Sequence, residues 1–273
     1  MKAGIDFGTS LVKAVWMKDG EYGFASTADR TLEDIAMELH DDGVQRIHVA
    51  GVGYSDEHAR NLNQFTLKTI KGDPIRHEKK TQVYGVKKLL EHNGERRRNF
   101  FLVSVGTGTS YTVRLPGVTI PIPLGNSLGG GFLAGTGRLV GIDDYGEMAR
   151  MASRGTPLNI YVKDKVPTLN GTALGEYVLA HFGLATQDSV PEDVMATAID
   201  IASATTVKDI AVVSHSSLLF RWTKDVIYTG STIARFPSLR NSLETYTRML
   251  GKTPHFPEHG EFALAVGAYH MQE

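Results

Sequence analysis

The sequence predicts an α/β protein of two similar lobes, each a mixed sheet flanked by helices, and three observations carry that expectation. A strand, a turn rich in Gly, Thr and Ser, and a returning strand open the chain near residue 2, and the same order restarts near Asn99. Helix-period segments follow the strands in both halves, the alternation expected of layered α/β folds. The polar stretch Asn93-Gly94-Glu95-Arg96-Arg97-Arg98 lies between the two halves, so the lobes are expected at 1–97 and 98–273, with a cleft between them. Its three arginines read as a solvated turn.

The elements follow from spacing. Lys2–Asp6, Leu11–Met17 and Tyr22–Ser26 read as strands, joined by Phe7-Gly8-Thr9-Ser10 and by Lys18-Asp19-Gly20-Glu21, where Asp-Gly is a hairpin signal. Leu32–Leu39 places apolar residues at 32, 35, 36 and 39, a helical face. Arg46–Ala50 is a strand ending in Gly51-Val52-Gly53, and Lys79–Leu90 a helix with Val83, Val86, Leu89 and Leu90 on one side. In the second half, Phe100–Val105 is a buried-type strand and Tyr111–Leu115 its return. Pro191–Thr206, Ser238–Leu250 and Glu261–Met271 read as helices and Asp225–Thr229 as a strand.

Composition narrows the function classes. The 273 residues carry 29 Lys+Arg against 30 Asp+Glu, a formal charge of −1, without the clustered cations of a nucleic-acid binder or of a protein held on acidic membranes. No apolar run approaches the ~18 residues of a membrane span, and Met1-Lys2-Ala3-Gly4 is expected to be no signal peptide. The absence of cysteine removes disulfides, thiolate metal sites and cysteine nucleophiles, and suits a cytoplasmic protein. Of the ten histidines only His255 and His259 have a zinc-ligand spacing, and the Phe256-Pro257 between them keeps them off one helix face. With 29 glycines, many backbone positions are free to turn or to be closely approached.

Four turns could carry chemistry. In Gly4-Ile5-Asp6-Phe7-Gly8-Thr9-Ser10-Leu11-Val12-Lys13, a carboxylate at a strand end precedes a small-residue turn. Such a turn can surround an anion with backbone N–H groups and hold a cation beside it, although an ordinary hairpin with a surface lysine fits the same residues. Ser104-Val105-Gly106-Thr107-Gly108-Thr109-Ser110 offers two glycines for close approach and hydroxyls for phosphate oxygens. Val226-Ile227-Tyr228-Thr229-Gly230-Ser231-Thr232 ends a strand in bare backbone, against which a flat adenosine ring can lie. Gly125-Asn126-Ser127-Leu128-Gly129-Gly130-Gly131 enters a helix and serves substrate shape or helix packing equally well. The chain has neither a Walker loop nor a Rossmann fingerprint after its first strand.

Together these turns resemble the acetate and sugar kinase/Hsp70/actin superfamily, and within it the type II pantothenate kinases. Gly4–Lys13 is similar to that superfamily's first phosphate loop and Ser104–Ser110 to its second. In the tail the resemblance rests on residues 226–232, Ser238-Leu239-Arg240, Tyr246-Thr247, Gly260-Glu261-Phe262 and Gly267-Ala268. Gly125–Gly131, Tyr161-Val162-Lys163-Asp164 and His181-Phe182-Gly183 are similar to further family segments.

The resemblance implies lobes of the actin-like ATPase (ribonuclease H-like) type with a nucleotide cleft, ATP and Mg²⁺ as cofactors, pantothenate as substrate, and a homodimer. It implies that Asp6 holds the metal, that Gly8, Thr9, Ser10 and Lys13 face the β- and γ-phosphates with Gly106, Thr107 and Gly108, and that Gly230 and Ser231 lie near adenosine. Thr109 and Ser110 would touch pantothenate. Glu78, seven residues before Gly85 as the family's catalytic Glu is before its Gly, would be the general base; read alone, a Glu at a helix start is ordinary dipole complementarity. The family also carries a pantothenate-contacting Arg twelve residues after the Ser matched by Ser110, where this chain has Ile122; Arg114 and Arg138 are the other candidate cations. A kinase for another small alcohol and a nucleotide-binding regulator that has lost transfer are the alternative expectations.

Overall fold

A computed structural model of the chain describes residues 1–69 and 74–271, the side chains of Pro74 and Ile75 excepted. The chain begins with β1 (Lys2–Phe7), β2 (Val12–Lys18), β3 (Glu21–Ser26), α1 (Leu32–Asp41), β4 (Arg46–Ala50), α2 (Asp56–Asn61), β5 (Thr66–Thr69) and α3 (Pro74–His92). It continues with β6 (Phe100–Val105), β7 (Thr109–Leu115), β8 (Val118–Pro121), α4 (Gly130–Leu139), α5 (Tyr145–Arg154), β9 (Ile160–Tyr161), α6 (Val162–Lys165) and β10 (Val178–Ala180). The last elements are α7 (Pro191–His215), α8 (Leu218–Arg221), β11 (Asp225–Thr229), α9 (Ser231–Arg235), α10 (Pro237–Met249), β12 (Thr253–His255) and α11 (Ala263–Tyr269).

Two five-stranded mixed sheets organise these elements, in the orders β3-β2-β1-β4-β5 and β12-β11-β6-β7-β8. In the first, β1 pairs antiparallel with β2 and parallel with β4; in the second, β11 and β12 are parallel and β7 and β8 antiparallel. The mixed α/β class expected from the sequence, two mixed sheets flanked by helices, is the one observed.

The chain divides differently from the single boundary expected at 97/98. Unit 1 holds Met1–Leu102, Thr112–Pro121 and Phe256–Glu273, and unit 2 holds Val103–Tyr111 and Ile122–His255. Three segments beyond residue 97 belong to unit 1: the start of β6, the 112–121 stretch of the β7–β8 hairpin, and the last helix.

In unit 1 the local chemistry is clear. Asp19 and Gly20 both have positive φ, 51° and 91°, the mirror-image turn whose twist matches a hairpin. Thr31 and Asp34 cap α1 reciprocally, the Thr31 hydroxyl accepting from the Asp34 N–H and the Asp34 carboxylate from the Thr31 N–H. Leu32, Ile35, Ala36 and Leu39 bury against the sheet beside Ile5, Phe7 and Ile47, the face the sequence predicts.

The C-terminal α11 fixes the rest of unit 1 through bare backbone. A Cβ on Gly4 of β1 would lie 2.2 Å from the Ala265 carbonyl oxygen and 2.3 Å from the Tyr269 nitrogen. One on Gly85 of α3 would lie 1.7 Å from the Ala263 oxygen, and one on Gly267 would lie 2.0 Å from the Thr81 oxygen. Glycine is therefore required on both sides of the α3–α11 crossing, and α11 touches β1 as well. Val83, Val86, Leu89 and Leu90 are buried along the same helix, as expected, and α3 extends well beyond the expected 79–90.

In unit 2, β6 is buried almost throughout, and the 25-residue α7 begins at Pro191, pre-organised for a first helical turn, and packs against α5 and α10. Among the described residues no helix is long and apolar enough to cross a membrane.

The crossing makes a stability prediction. Gly85→Ala should cost about 3 kcal/mol or more, since the added methyl meets rigid backbone. Gly135→Ala, in α4 with nothing within 4 Å, should be neutral or stabilising by up to about 1 kcal/mol. Denaturant midpoints of the two variants measure both effects.

Candidate functional site

The residues singled out from sequence separate between the two units. Asp6, Gly8, Thr9, Ser10, Lys13 and Glu78 are in unit 1; Gly106, Thr107, Gly108, Thr109, Ser110, Gly230 and Ser231 are in unit 2.

In unit 1 the antiparallel register places Asp6 of β1 opposite Lys13 of β2. Both are nearly buried, at 7 % and 8 % exposure, and the Lys13 ammonium stands 3.5 Å from the Asp6 carboxylate. Burial raises the Asp6 pKa to about 6, Lys13 opposes the shift, and the Glu78 carboxylate adds to it. Because that value lies above the usual 3.8, the group favours folding when protonated; its contribution is present at acid pH and is lost as pH rises through about 6. Glu78 stands in the second turn of α3, partly exposed, with the Lys79 ammonium 3.5 Å away.

The turn after Asp6 is held from both sides. The Gly8 N–H donates to the Leu11 carbonyl at 3.1 Å, and the Gly53 N–H to the Phe7 carbonyl at 2.8 Å. Thr9 and Ser10 are exposed. With Gly8, Leu11, Val12, Thr27, Val52, Gly53 and His58 they line a cavity of about 380 Å³. Sequence reasoning saw Gly51-Val52-Gly53 only as a strand end. Gly51 has φ 95°, and a Cβ there would lie 2.4 Å from the Phe7 oxygen and 2.7 Å from Asp6 Oδ1. This second glycine turn therefore walls the carboxylate, and its recurrence after a parallel strand beside β1 is the signal that could have revealed it.

In unit 2 the 106–110 turn is braced by the glycine-dense segment. The Gly106 carbonyl accepts from the Gly130 N–H at 2.7 Å and from the Thr232 hydroxyl at 2.9 Å, and the Thr107 carbonyl accepts from the Gly131 N–H at 2.9 Å. A Cβ on Gly129 would sit 2.7 Å from both of those oxygens. Helix packing is thus a definite role of Gly129–Gly131, and two acceptors that would repel a phosphate are already engaged. Thr109 is buried, its N–H and carbonyl bridged to Asn126 at 2.9 Å in each direction and its hydroxyl donating to the Leu128 carbonyl at 3.4 Å. Ser110 is half-buried. Gly230 has φ 113°, and a Cβ there would lie 2.3 Å from the Val105 oxygen, so the glycine is required for β11 to end against the backbone of β6.

Two carboxylates that sequence reasoning missed organise unit 2. Asp209 of α7 accepts from the Tyr111 hydroxyl and from Asn126 Nδ2, each at 2.8 Å, tying β7 to the turn ahead of α4. Asp200, one helical stretch earlier, accepts from Asn159 Nδ2 at 2.6 Å and from the Tyr246 hydroxyl at 2.9 Å, and its burial raises its pKa. These contacts explain why Tyr246 belongs to a recognisable tail motif: its hydroxyl satisfies a buried acid.

With this geometry in view, likenesses to known proteins can be placed. No protein-family model matches the chain. It is 25 % identical over 280 residues to the type II pantothenate kinase of Staphylococcus aureus strain USA300, covering 100 % of both chains. Identity is 26 % over 278 residues for the enzyme of strain MRSA252, covering 99 % of each. Among solved structures it is similar to component A of the (R)-2-hydroxyglutaryl-CoA dehydratase of Acidaminococcus fermentans, with TM-score 0.60, 14 % identity, and 98 % and 95 % of the two chains covered. It is also similar to the activator of the 2-hydroxyisocaproyl-CoA dehydratase of Clostridium difficile, solved with bound ADPNP, with TM-score 0.59, 15 % identity, and 98 % and 92 % covered. The structural likenesses concern the fold alone.

Asp209→Ala removes the carboxylate acceptor of the Tyr111 hydroxyl and one of the two acceptors of the Asn126 amide, which also donates to the Tyr111 hydroxyl at 2.6 Å, and should lower stability by about 1–3 kcal/mol. Asp209→Asn, which keeps one oxygen, should lose less. Thermal unfolding of the two variants orders them.

Proposed function

We propose that the chain is an ATP-dependent phosphotransferase acting on a primary alcohol, with pantothenate as the acceptor. The observation that carries the reading is the buried Asp6–Lys13 pair at the mouth of a glycine-and-hydroxyl turn, with Glu78 close enough to shift the Asp6 pKa. The end-to-end likeness to the S. aureus type II pantothenate kinases supports the substrate class, and the ADPNP held by a protein of similar fold supports the nucleotide.

The residues divide the work of phosphoryl transfer, where positioning and charge neutralisation dominate. Thr9 and Ser10 would present N–H and hydroxyl donors to the β- and γ-phosphates, Gly8, whose N–H is held by the Leu11 carbonyl, would let them approach bare backbone, and Lys13 would neutralise their charge. Gly106, Thr107 and Gly108 would serve phosphates from a second glycine turn, and Gly230 with Ser231 would meet adenosine on bare backbone.

Asp6 suits a Mg²⁺ ion that takes one carboxylate from the protein and its remaining ligands from phosphate and water. Among the described residues no group of three or more His, Asp or Glu forms a protein-only metal cage, which fits an ion arriving with its nucleotide. When bound, the metal supplies charge neutralisation on the phosphates. Glu78 would take the proton of the acceptor hydroxyl as its oxygen bonds to the γ-phosphorus. The bond from that phosphorus to the bridging oxygen breaks, and ADP departs. Ser110 would sit towards pantothenate, and Thr109, whose hydroxyl and both backbone groups are engaged, would shape that side of the site rather than bond the substrate. By the same resemblance the protein would act in the cytoplasm as a homodimer.

One observation favours a second reading. At the position of the family's pantothenate-contacting Arg stands Ile122, whose side chain offers no hydrogen bond to a carboxylate. Another small alcohol, without that carboxylate, would then be the acceptor.

ADP release measured against a panel of alcohols tests the reading. Pantothenate-dependent ADP formation is expected; turnover with a different alcohol alone would reassign the acceptor, and binding of ATP without any turnover would leave a nucleotide-binding regulator. Glu78→Gln should lower the rate by about 10²–10⁴-fold while ATP affinity stays within about twofold, and an unchanged rate would remove Glu78 from the role of base. Since Asp6 takes up a proton near pH 6, Mg²⁺-dependent ATP binding should be flat above about pH 7 and weaken below about pH 6. Calorimetric titrations at several pH values check this, and Asp6→Asn should abolish the dependence.

A further inference from the structure

A second cavity in unit 1, of about 540 Å³, shares no lining residue with the cavity at the 8–11 turn. Its wall is made by α3 on one side, by the β7–β8 hairpin on another and by the end of α11 on a third. Three cations line it: Lys80 and Lys87, two turns apart on one face of α3, and Arg114 of β7. Among the described residues no Asp or Glu belongs to the lining.

None of these three cations makes an ion pair with another described residue. Glu91, one turn beyond Lys87 on the same helix, makes its ion pair with Lys88 at 2.9 Å and acts on Lys87 only through the longer-range field. Arg114 donates from one terminal nitrogen to the Thr119 hydroxyl at 3.3 Å, while its buried Nε has no acceptor among the described residues. A buried donor without a partner is uncommon and calls for a ligand or water to complete it. His270 adds no charge at neutral pH: its Nε2 lies 2.5 Å from the Tyr22 hydroxyl, and burial with nearby lysines pushes its pKa down to about 4. Val83, Tyr84 and Met271 add apolar and aromatic surface, and Thr81 and Thr119 stand among the remaining lining residues.

We propose that this cavity binds a small molecule carrying a phosphate group. Lys80 and Lys87 would hold the phosphate as point charges, and Arg114 would complete its donor set with an N–H bond. The Tyr84 and Met271 side would cover the apolar body of the ligand. Cations gathered without carboxylates repel one another, and a bound dianion removes that cost while using the idle guanidinium donor. The volume lies within the usual range for small-molecule sites of roughly 300–1,000 Å³. This site is separate from the nucleotide-binding turns and stands whether or not the chain is a kinase.

Pyrophosphate titrated into the full-length protein at low ionic strength, followed by backbone amide NMR shifts, tests the proposal. Saturable shifts at residues 80–87 and 114–119 are expected, with a dissociation constant below about 10 mM. The same shifts should persist in Lys13→Ala, which disables the other candidate phosphate site. The double variant K80Q/K87Q should weaken binding at least about tenfold, and Arg114→Lys, which keeps the charge and loses Nε, should weaken it by a smaller factor. Shifts confined to residues 8–13, a linear non-saturating response, or unchanged affinity in K80Q/K87Q would overturn it. So would a self-association that protects these residues and proceeds equally well without pyrophosphate.

Discussion

The contact on which unit 1 depends is the approach of α11 to two other backbones at once. Gly4 lets β1 touch α11, and Gly85 with Gly267 lets α3 do the same. Each would-be Cβ at these positions falls inside hard-sphere distance of a backbone atom, so no rotamer change relieves a substitution. The consequence is chemical as well as mechanical. β1 ends in Asp6 and α3 carries Glu78 near its start, so one short helix sets the spacing of the two carboxylates whose fields are coupled in the Asp6 pKa.

That coupling explains why Asp6 and Lys13 are buried together. An isolated carboxylate so little exposed would lose its charge, and a lone ammonium would do the same. Paired across adjacent strands they remain a charged couple, with the carboxylate held close to neutral-range titration and therefore responsive to whatever cation or phosphate approaches. The walls around the pair are glycine turns, at 8 and at 51–53, which bring main-chain groups near without side-chain bulk.

Much of this was legible in the sequence, and what was not has a physical reason. The strands Arg46–Ala50, Phe100–Val105 and Asp225–Thr229 fall where their apolar runs end in glycine, and the Asp19-Gly20 turn has the left-handed residues its composition demands. The short α2 and β5 escaped because neither carries an apolar period: no residue of α2 is buried, and β5 is no more than half-buried. The division of the chain escaped because it is decided in part by residues 256–273 returning to the first unit, a long-range packing of small residues that local spacing does not encode. Asp200 and Asp209 look like ordinary polar positions on a long helix until their tyrosine and asparagine partners, dozens of residues away, are brought to them. The three cations of the second cavity are likewise distributed over a helix and a hairpin with no motif to join them.

The motifs that suggested a family therefore divide into two kinds. Gly4, Gly85, Gly129, Gly230 and Gly267 are demanded by backbone contact, and any protein of this fold that keeps those contacts must keep glycine there, whatever it phosphorylates or whether it does so at all. Asp6, Lys13 and Glu78 are different, because nothing in the packing of β1, β2 or α3 requires charge at those points, and an apolar strand end would be cheaper to bury. Their presence is the part of the resemblance that speaks for chemistry. The choice of acceptor is carried by neither set: under the proposed reading it would rest on side chains such as Ile122, which stands where the resemblance leads one to expect a cation.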